Sequence, residues 1–160
     1  MNVYRILKAP YDKDPLSVVG SMLMPGRWNM PDQGLLYTAS HPALALLETM
    51  VHFQTKPYAQ LPALTLYELE VPGKLTWVLP QKRLPPGWNT PAGVELTQPL
   101  LAAWIDQPIQ ESRDFLGVKV PSAILPMSDN YLFAPNHPRF GEIRVLHTYP
   151  LPLDLRLWRV

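Results

Sequence analysis

Three polar signals spread along the chain carry residue types that could act on one ligand: Gly26-Arg27-Trp28-Asn29, Leu47-Glu48-Thr49 eleven residues past Tyr37, and Val120-Pro121-Ser122-Ala123. A guanidinium and an indole on a turn that follows glycine suit a bidentate grip on a phosphate or a carboxylate. The ordinary alternative is a surface arginine beside a core tryptophan. Tyr37, in Leu36-Tyr37-Thr38-Ala39, could stack on a planar ring or donate a hydrogen bond, although most strand tyrosines simply pack. Glu48 could pair with His52 four residues on as a helix-surface contact, which contributes only a few tenths of a kcal/mol. Ser122 after Pro121 could do no more than shape the start of a strand. No Gly-x-Ser-x-Gly surrounds it, so a nucleophile elbow is not indicated.

These residues need elements to hold them. Val3 to Leu7 is a β-prone run ended by Ala9-Pro10 and reads as a first strand. Turn formers crowd residues 25 to 34, which places Arg27 on a loop, and Leu35 to Thr38 resumes as a strand carrying Tyr37. Ser40 as N-cap and Pro42 in the first turn predict a helix over Ala43 to Phe53. At about 100° per residue Leu44, Leu47 and Val51 make one stripe, with Glu48 roughly 40° to one side of Leu44. A carboxylate bordering a buried face is partly desolvated yet open on one side, where hydrogen bonds to a ligand count for most.

Beyond the helix, Leu64 to Val71 alternates in two phases and predicts a strand with a bulge. Leu75 to Leu79 reads as a further strand, Pro80 to Pro91 as a long irregular connection, and Pro99 to Asp106 as a short helix opened by its proline. Phe115 to Val120, Ala123 to Leu125, Tyr131 to Phe133, Glu142 to Tyr149 and Leu153 to Val160 give a β-rich second half. Neither repeats nor a dividing linker interrupt the chain, so residues 1–160 read as one domain.

Composition narrows the function classes. A formal net charge of +1 gives no basic field for a nucleic-acid backbone, so direct nucleic-acid binding is not expected. Cysteine is absent and the four histidines lack ligand spacing, which predicts neither disulfides nor a structural metal. The first residues do not form a signal peptide and no apolar run approaches a membrane span, which makes a cytoplasmic protein without membrane contact the simplest expectation. Prolines make up 20 of the 160 residues and are spread along the chain, predicting many short elements joined by rigid turns.

Taken together and in order, the motifs resemble the RES-domain family. Val3-Tyr4-Arg5-Ile6 is similar to the arginine-bearing first strand of that family, and Gly26-Arg27-Trp28-Asn29 to its most recognisable motif. Tyr37-Thr38-Ala39 through Glu48 to Val51-His52, then Val120-Pro121-Ser122, Asn130-Tyr131-Leu132 and Pro135-Asn136-His137-Pro138, follow at the expected spacing. One departure is Ala134, where the family often has asparagine, and no role is carried over to that position. The resemblance implies an α+β, ADP-ribosyltransferase-like fold, with a split β core and flanking helices around an NAD cleft. It implies a toxin, paired with an Xre-type antitoxin, that destroys NAD as substrate by hydrolysis or, with inorganic phosphate as co-substrate, by phosphorolysis; no resident cofactor is implied. On this reading Glu48 favours the oxocarbenium-like centre left by nicotinamide, and Arg27, helped by Arg5, holds the pyrophosphate. Tyr37 places the nicotinamide or its ribose, and Ser122 orients Glu48 or a substrate oxygen. Trp28 and Asn130 complete the implied substrate contacts. Protein ADP-ribosylation and a non-catalytic module that binds a nucleotide or a partner are the competing functions. The absence of Gly-x-Gly-x-x-Gly accords with NAD being consumed and not used for hydride transfer.

Overall fold

The structure, a computed structural model, describes residues 1–53, 57–105 and 115–157. In chain order its elements are β1 (Asn2–Lys8), α1 (Val19–Leu23), β2 (Leu36–Ala39), α2 (Pro42–Val51), β3 (Leu64–Glu70), β4 (Thr76–Val78), α3 (Val94–Ile105), β5 (Gly117–Pro121), β6 (Asp129–Phe133) and β7 (Arg144–Leu151). The strands form one mixed sheet in the order β4-β5-β6-β2-β1-β3-β7, antiparallel throughout except for β4 beside β5.

That sheet is split. Strand β1 pairs with β3 along its whole length, from Asn2↔Glu70 to Lys8↔Leu64, and β2 pairs with β6 from Leu36↔Phe133 to Ala39↔Asn130. Between the two halves β1 and β2 share the single pair Tyr4↔Ala39. With one pair to hold them the two strands diverge, and the space between them is where a ligand can reach the middle of the sheet.

The sheet has a core on each face, since the neighbours Leu35 and Leu36, and likewise Leu132 and Phe133, fall into different clusters. Trp28, Leu35, Leu79, Trp88, Leu101, Ile105, Val118, Val120 and Leu132 pack beside α3, while Val3, Leu36, Tyr67, Leu69, Val71, Leu116, Phe133 and Ile143 form the second cluster. Burying a side chain of this size contributes roughly 1.5–3 kcal/mol, and the second cluster, which joins Val3 and Leu69 of one half to Leu36 and Phe133 of the other, holds the two halves together. A third, smaller cluster of Ala39, Leu44 and Ala45, with Tyr4 and Ile6 against it, seats α2 over the β1–β2 junction.

Several elements differ from the sequence-based expectation. The N-cap of α2 is His41, whose Nδ1 accepts from the Ala43 N–H at 3.2 Å, and not Ser40. Pro42 takes the first helical position, which makes its immediate predecessor the cap and frees the Ser40 N–H to bond the Asp129 carbonyl at 3.0 Å. Helix α3 begins at Val94 and carries Pro99 inside it; Pro91 supplies the opening proline, in a single turn that Thr90 caps through the Gly93 N–H. The bulge beside β3 lies in β7, where Leu146 is skipped between the pairs Glu68↔His147 and Leu69↔Val145. Residues 123 and 124 form a bend after β5 and residue 125 is irregular, and Leu155–Leu157 is a short 3-10 turn; residues 106–114 and 158–160, within two of the expected elements, lie outside the described residues. Among the described residues no helix is long and apolar enough to cross a membrane.

Candidate active site

Where β1 and β2 part, a cleft of about 590 Å³ opens, lined by Tyr4 to Leu7, by Gly26 to Trp28, by Tyr37 to Ala39 and by the inner side of α2. Arg5, Arg27, Glu48 and Asn130 all line it. One wall is carboxylate and the other guanidinium.

The carboxylate wall is built by α2, β5 and β6. On α2 the buried positions are Leu44 and Ala45, with Glu48 and Thr49 one turn on and partly covered, whereas Leu47 and Val51 are exposed. The covered face is therefore rotated from the apolar stripe Leu44-Leu47-Val51, and Glu48 lies within it instead of at its border. Its Oε1 accepts from Ser122 Oγ at 2.8 Å and from Asn130 Nδ2 at 2.6 Å. Among the described residues no ion pair joins Glu48 to His52. Ser122 is fully buried just past β5. Its Oγ accepts from the N–H groups of Ile124 at 3.1 Å and Leu125 at 3.0 Å, so its one proton is committed to Glu48. With both donors on Oε1, the second carboxylate oxygen accepts no hydrogen bond among the described residues and is left for a ligand.

The guanidinium wall is the loop before β2. Arg27 donates Nη1–H to the Trp88 carbonyl and Nη2–H to the Thr90 carbonyl, the latter at 3.1 Å, which orients the guanidinium and, among the described residues, leaves the rest of its fork unspent. Burial lowers the pKa of Arg27, while Glu48 and Tyr37 pull it back up. Arg5 donates to the Pro15 carbonyl at 2.7 Å, and burial, opposed by Asp14, lowers its guanidinium to about 10. Two cations and one carboxylate line the cleft, a charge arrangement that could receive an anion which also offers a hydroxyl or an incipient positive charge.

Tyr37 lines the cleft, but its hydroxyl faces its own loop: it donates to Asn29 Oδ1 at 2.7 Å and accepts from the Trp28 N–H at 3.2 Å. Burial pushes the Tyr37 phenol well above its ordinary value, more than the Trp28 N–H and Arg27 lower it. Trp28 is buried against Trp88, ring centroids 6.0 Å apart, so its indole is part of the core beside the cleft. Support from α3 was not anticipated from sequence: Thr97 Oγ1 donates to the Arg27 carbonyl at 2.7 Å and Gln98 Nε2 to the Gly26 carbonyl at 3.0 Å. Nor was Asn29 singled out, although it lies inside the motif and is fully buried. The sequence offered only a turn-rich loop, and the carbonyls that Asn29 serves become apparent as buried only in the fold.

Comparison with known proteins agrees with this architecture. The RES domain family model matches residues 2–154. A protein named Toxin Res from Yersinia enterocolitica is 30% identical over 140 residues, covering 88% of this chain and 88% of its own. A protein named Prs ADP-ribosylating toxin, from Sphingobium sp., is 35% identical over 153 residues, covering 93% of this chain and 90% of its own. Among solved structures, the M. tuberculosis MbcT–MbcA toxin–antitoxin complex contains a chain that matches with a TM-score of 0.71 at 22% identity, over 94% of this chain and 83% of that one. The fold is thus α+β of the ADP-ribosyltransferase-like kind, and the chain belongs to the RES-domain family, the family of the Res toxins.

Proposed function

We propose that this chain is the toxin of a toxin–antitoxin pair and that its cleft cleaves NAD between nicotinamide and ribose. The observation that carries the reading is Glu48, held by Ser122 and Asn130 through one oxygen, in a cleft whose other charges are Arg27 and Arg5. The arginines suit the pyrophosphate. The free oxygen of Glu48 suits the ribose, where it binds hydroxyls and offsets the positive charge that grows at C1′ as the bond to nicotinamide breaks. The bonding electron pair leaves with nicotinamide, which departs neutral. Water then bonds to that carbon, C1″ of the product, and loses a proton to give ADP-ribose, or inorganic phosphate bonds there to give ADP-ribose 1″-phosphate. Ser122 contributes by aiming Glu48, since its proton is already committed. Trp28 contributes as a wall of the cleft and Tyr37 through its ring.

A toxin that drains a central cofactor needs restraint in its own cell. The partner proposed here is an Xre-type antitoxin, in keeping with the toxin–antitoxin complex that the solved neighbour comes from. A second reading, transfer of ADP-ribose to a protein, is favoured by the name of the Sphingobium relative. It shares the cleavage step and differs in the acceptor.

The test is NAD consumption by the purified chain, with and without phosphate, beside Arg27→Ala and Glu48→Gln. At NAD concentrations near the wild-type KM, loss of NAD largely confined to wild type supports the reading, with Arg27→Ala regaining activity as NAD is raised, and dependence on phosphate selects phosphorolysis. With labelled NAD, radioactivity retained on protein supports transfer. Stable NAD with saturable binding supports a non-catalytic module, and undiminished NAD loss in Glu48→Gln rules out the assigned chemistry.

A further inference from the structure

Asn29 uses every hydrogen-bonding position it has. Its two Nδ2 hydrogens serve three carbonyls, those of Ser21 at 2.8 Å, Gln33 at 2.7 Å and, more distantly, Met30 at 3.1 Å, so that one hydrogen is shared. Its Oδ1 accepts from the Gly26 N–H at 2.9 Å and from the Tyr37 hydroxyl at 2.7 Å. The side chain is fully buried. Only a short amide can satisfy this set, because aspartate would set a carboxylate against three carbonyls and glutamine is a methylene too long.

The bonds enclose Arg27. Gly26 precedes it, Trp28 follows it with its N–H on Tyr37, and Asn29 ties both ends to β2. The fit is close enough to need glycine at 26, since a Cβ there would lie 2.6 Å from the Tyr37 hydroxyl. We infer that Asn29 and the Tyr37 hydroxyl form a clamp that positions Arg27 for the pyrophosphate, and that Tyr37 meets the substrate with its ring and not with its hydroxyl. Asn29 is thus a positioning residue, and so is the hydroxyl. The inference rests on the proposed reading of the cleft as an NAD site, and it names the part of the chain that prepares that site's anion-binding wall.

If Asn29 and the Tyr37 hydroxyl act through Arg27, their effects vanish once Arg27 is gone. Asn29→Asp is expected to raise KM for NAD about tenfold or more with kcat changed much less, as the loss of binding shared by ground and transition states requires. Tyr37→Phe should shift KM in the same direction by a smaller factor. In an Arg27→Ala background neither change should raise KM further. A loop-resolved measurement, amide hydrogen exchange, should show faster exchange over residues 26–35 in Asn29→Asp and little change over residues 117–130. A drop in kcat in Tyr37→Phe that persists without Arg27 would mean that the hydroxyl acts on substrate, and the clamp would be overturned. Should wild type consume no NAD, the proposed reaction fails, yet the exchange data still judge the clamp: unchanged exchange over residues 26–35 in Asn29→Asp refutes it, and selective acceleration sustains it.

Discussion

The two walls of the cleft are held by different means. Glu48 stands on a helix and is aimed by two side chains, Ser122 and Asn130, that sit at the end of β5 and within β6. Arg27 stands on a loop, oriented by the carbonyls of Trp88 and Thr90 and kept in place by Asn29, Thr97 and Gln98. A carboxylate that must meet a charge developing at one atom gains from regular elements, whose geometry is fixed within a fraction of an ångström. A guanidinium that must meet a pyrophosphate tolerates more, because the fork and the phosphate oxygens offer several equivalent pairings. Damage to the first wall should therefore appear in kcat, and damage to the second in KM.

The largest effect that distinguishes them is expected from Glu48→Gln. The amide keeps an oxygen for Ser122 and Asn130 while removing the charge, so NAD cleavage should fall roughly 100- to 1,000-fold with thermal unfolding close to wild type. Parallel kinetics and melting check both halves of the statement, and a loss of rate explained by unfolding would break the assignment of Glu48. Next comes Ser122→Ala. It removes one of the two donors that aim Glu48 Oε1 and leaves the Ile124 and Leu125 N–H groups without their acceptor, which should lower kcat roughly 10- to 100-fold and cost about 1–3 kcal/mol of stability. An effect confined to KM would show that this wall is not the one tuned to the transition state.

The same division explains what the sequence disclosed. Short β-prone runs bounded by proline and glycine gave strands at 3–7, 35–38, 75–79 and 131–133 that match β1, β2, β4 and β6 to within a residue or two. The resemblance to the RES domain implied the fold class that the structure has. Glu48 was found through its helix, but by a stripe that pointed elsewhere: Leu47 is 37% and Val51 39% exposed, while Ala45 is buried. Hydrophobicity tells which residues prefer to be covered, and the sheet beneath chooses among them. A small residue at 45 lets α2 approach Tyr4 and Ile6 closely, at the expense of two larger residues left outside. Pro99 misled for a related reason, since a proline signals a helix start only where no earlier one fills that place, and Pro91 does. The role of Asn29 was not legible, because an amide in a turn-rich loop is normally solvated and nothing local announces that three carbonyls will be buried around it.

Gly26→Ala tests the guanidinium wall where it is tightest. The added Cβ would lie 2.6 Å from the Tyr37 hydroxyl and 2.9 Å from its Cζ, so either the ring or the loop must move. Overcrowding of this kind costs about 1–3 kcal/mol, and because the loop carries Arg27 the kinetic change should fall on KM. Denaturant unfolding and NAD kinetics on the same preparation measure both. A variant with wild-type KM would mean that the loop can shift without Arg27 noticing, and the contrast between the walls would lose its basis.

The smallest expected effect is at alkaline pH. Burial holds the Tyr37 phenol above its ordinary range in the folded protein, while in the unfolded chain it ionises near 10. Above that pH the unfolded state has released a proton that the folded state still keeps, so this group's contribution to stability is full below about pH 10 and declines as pH rises further, at up to about 1.4 kcal/mol per unit for one proton. Tyr37→Phe removes the term. The variant should be the less stable at neutral pH yet lose stability more gradually than wild type between about pH 10 and 11, whereas Glu48→Gln should keep the wild-type slope. Unfolding free energies measured across that interval decide the matter. An unchanged slope in Tyr37→Phe would mean that the hydroxyl ionises in the folded protein as readily as in the unfolded chain, which a phenol sealed between Asn29 and the Trp28 N–H does not do. The loop that carries Arg27 would then be a solvated one, and its arginine would be aimed by the carbonyls of Trp88 and Thr90 with no help from β2.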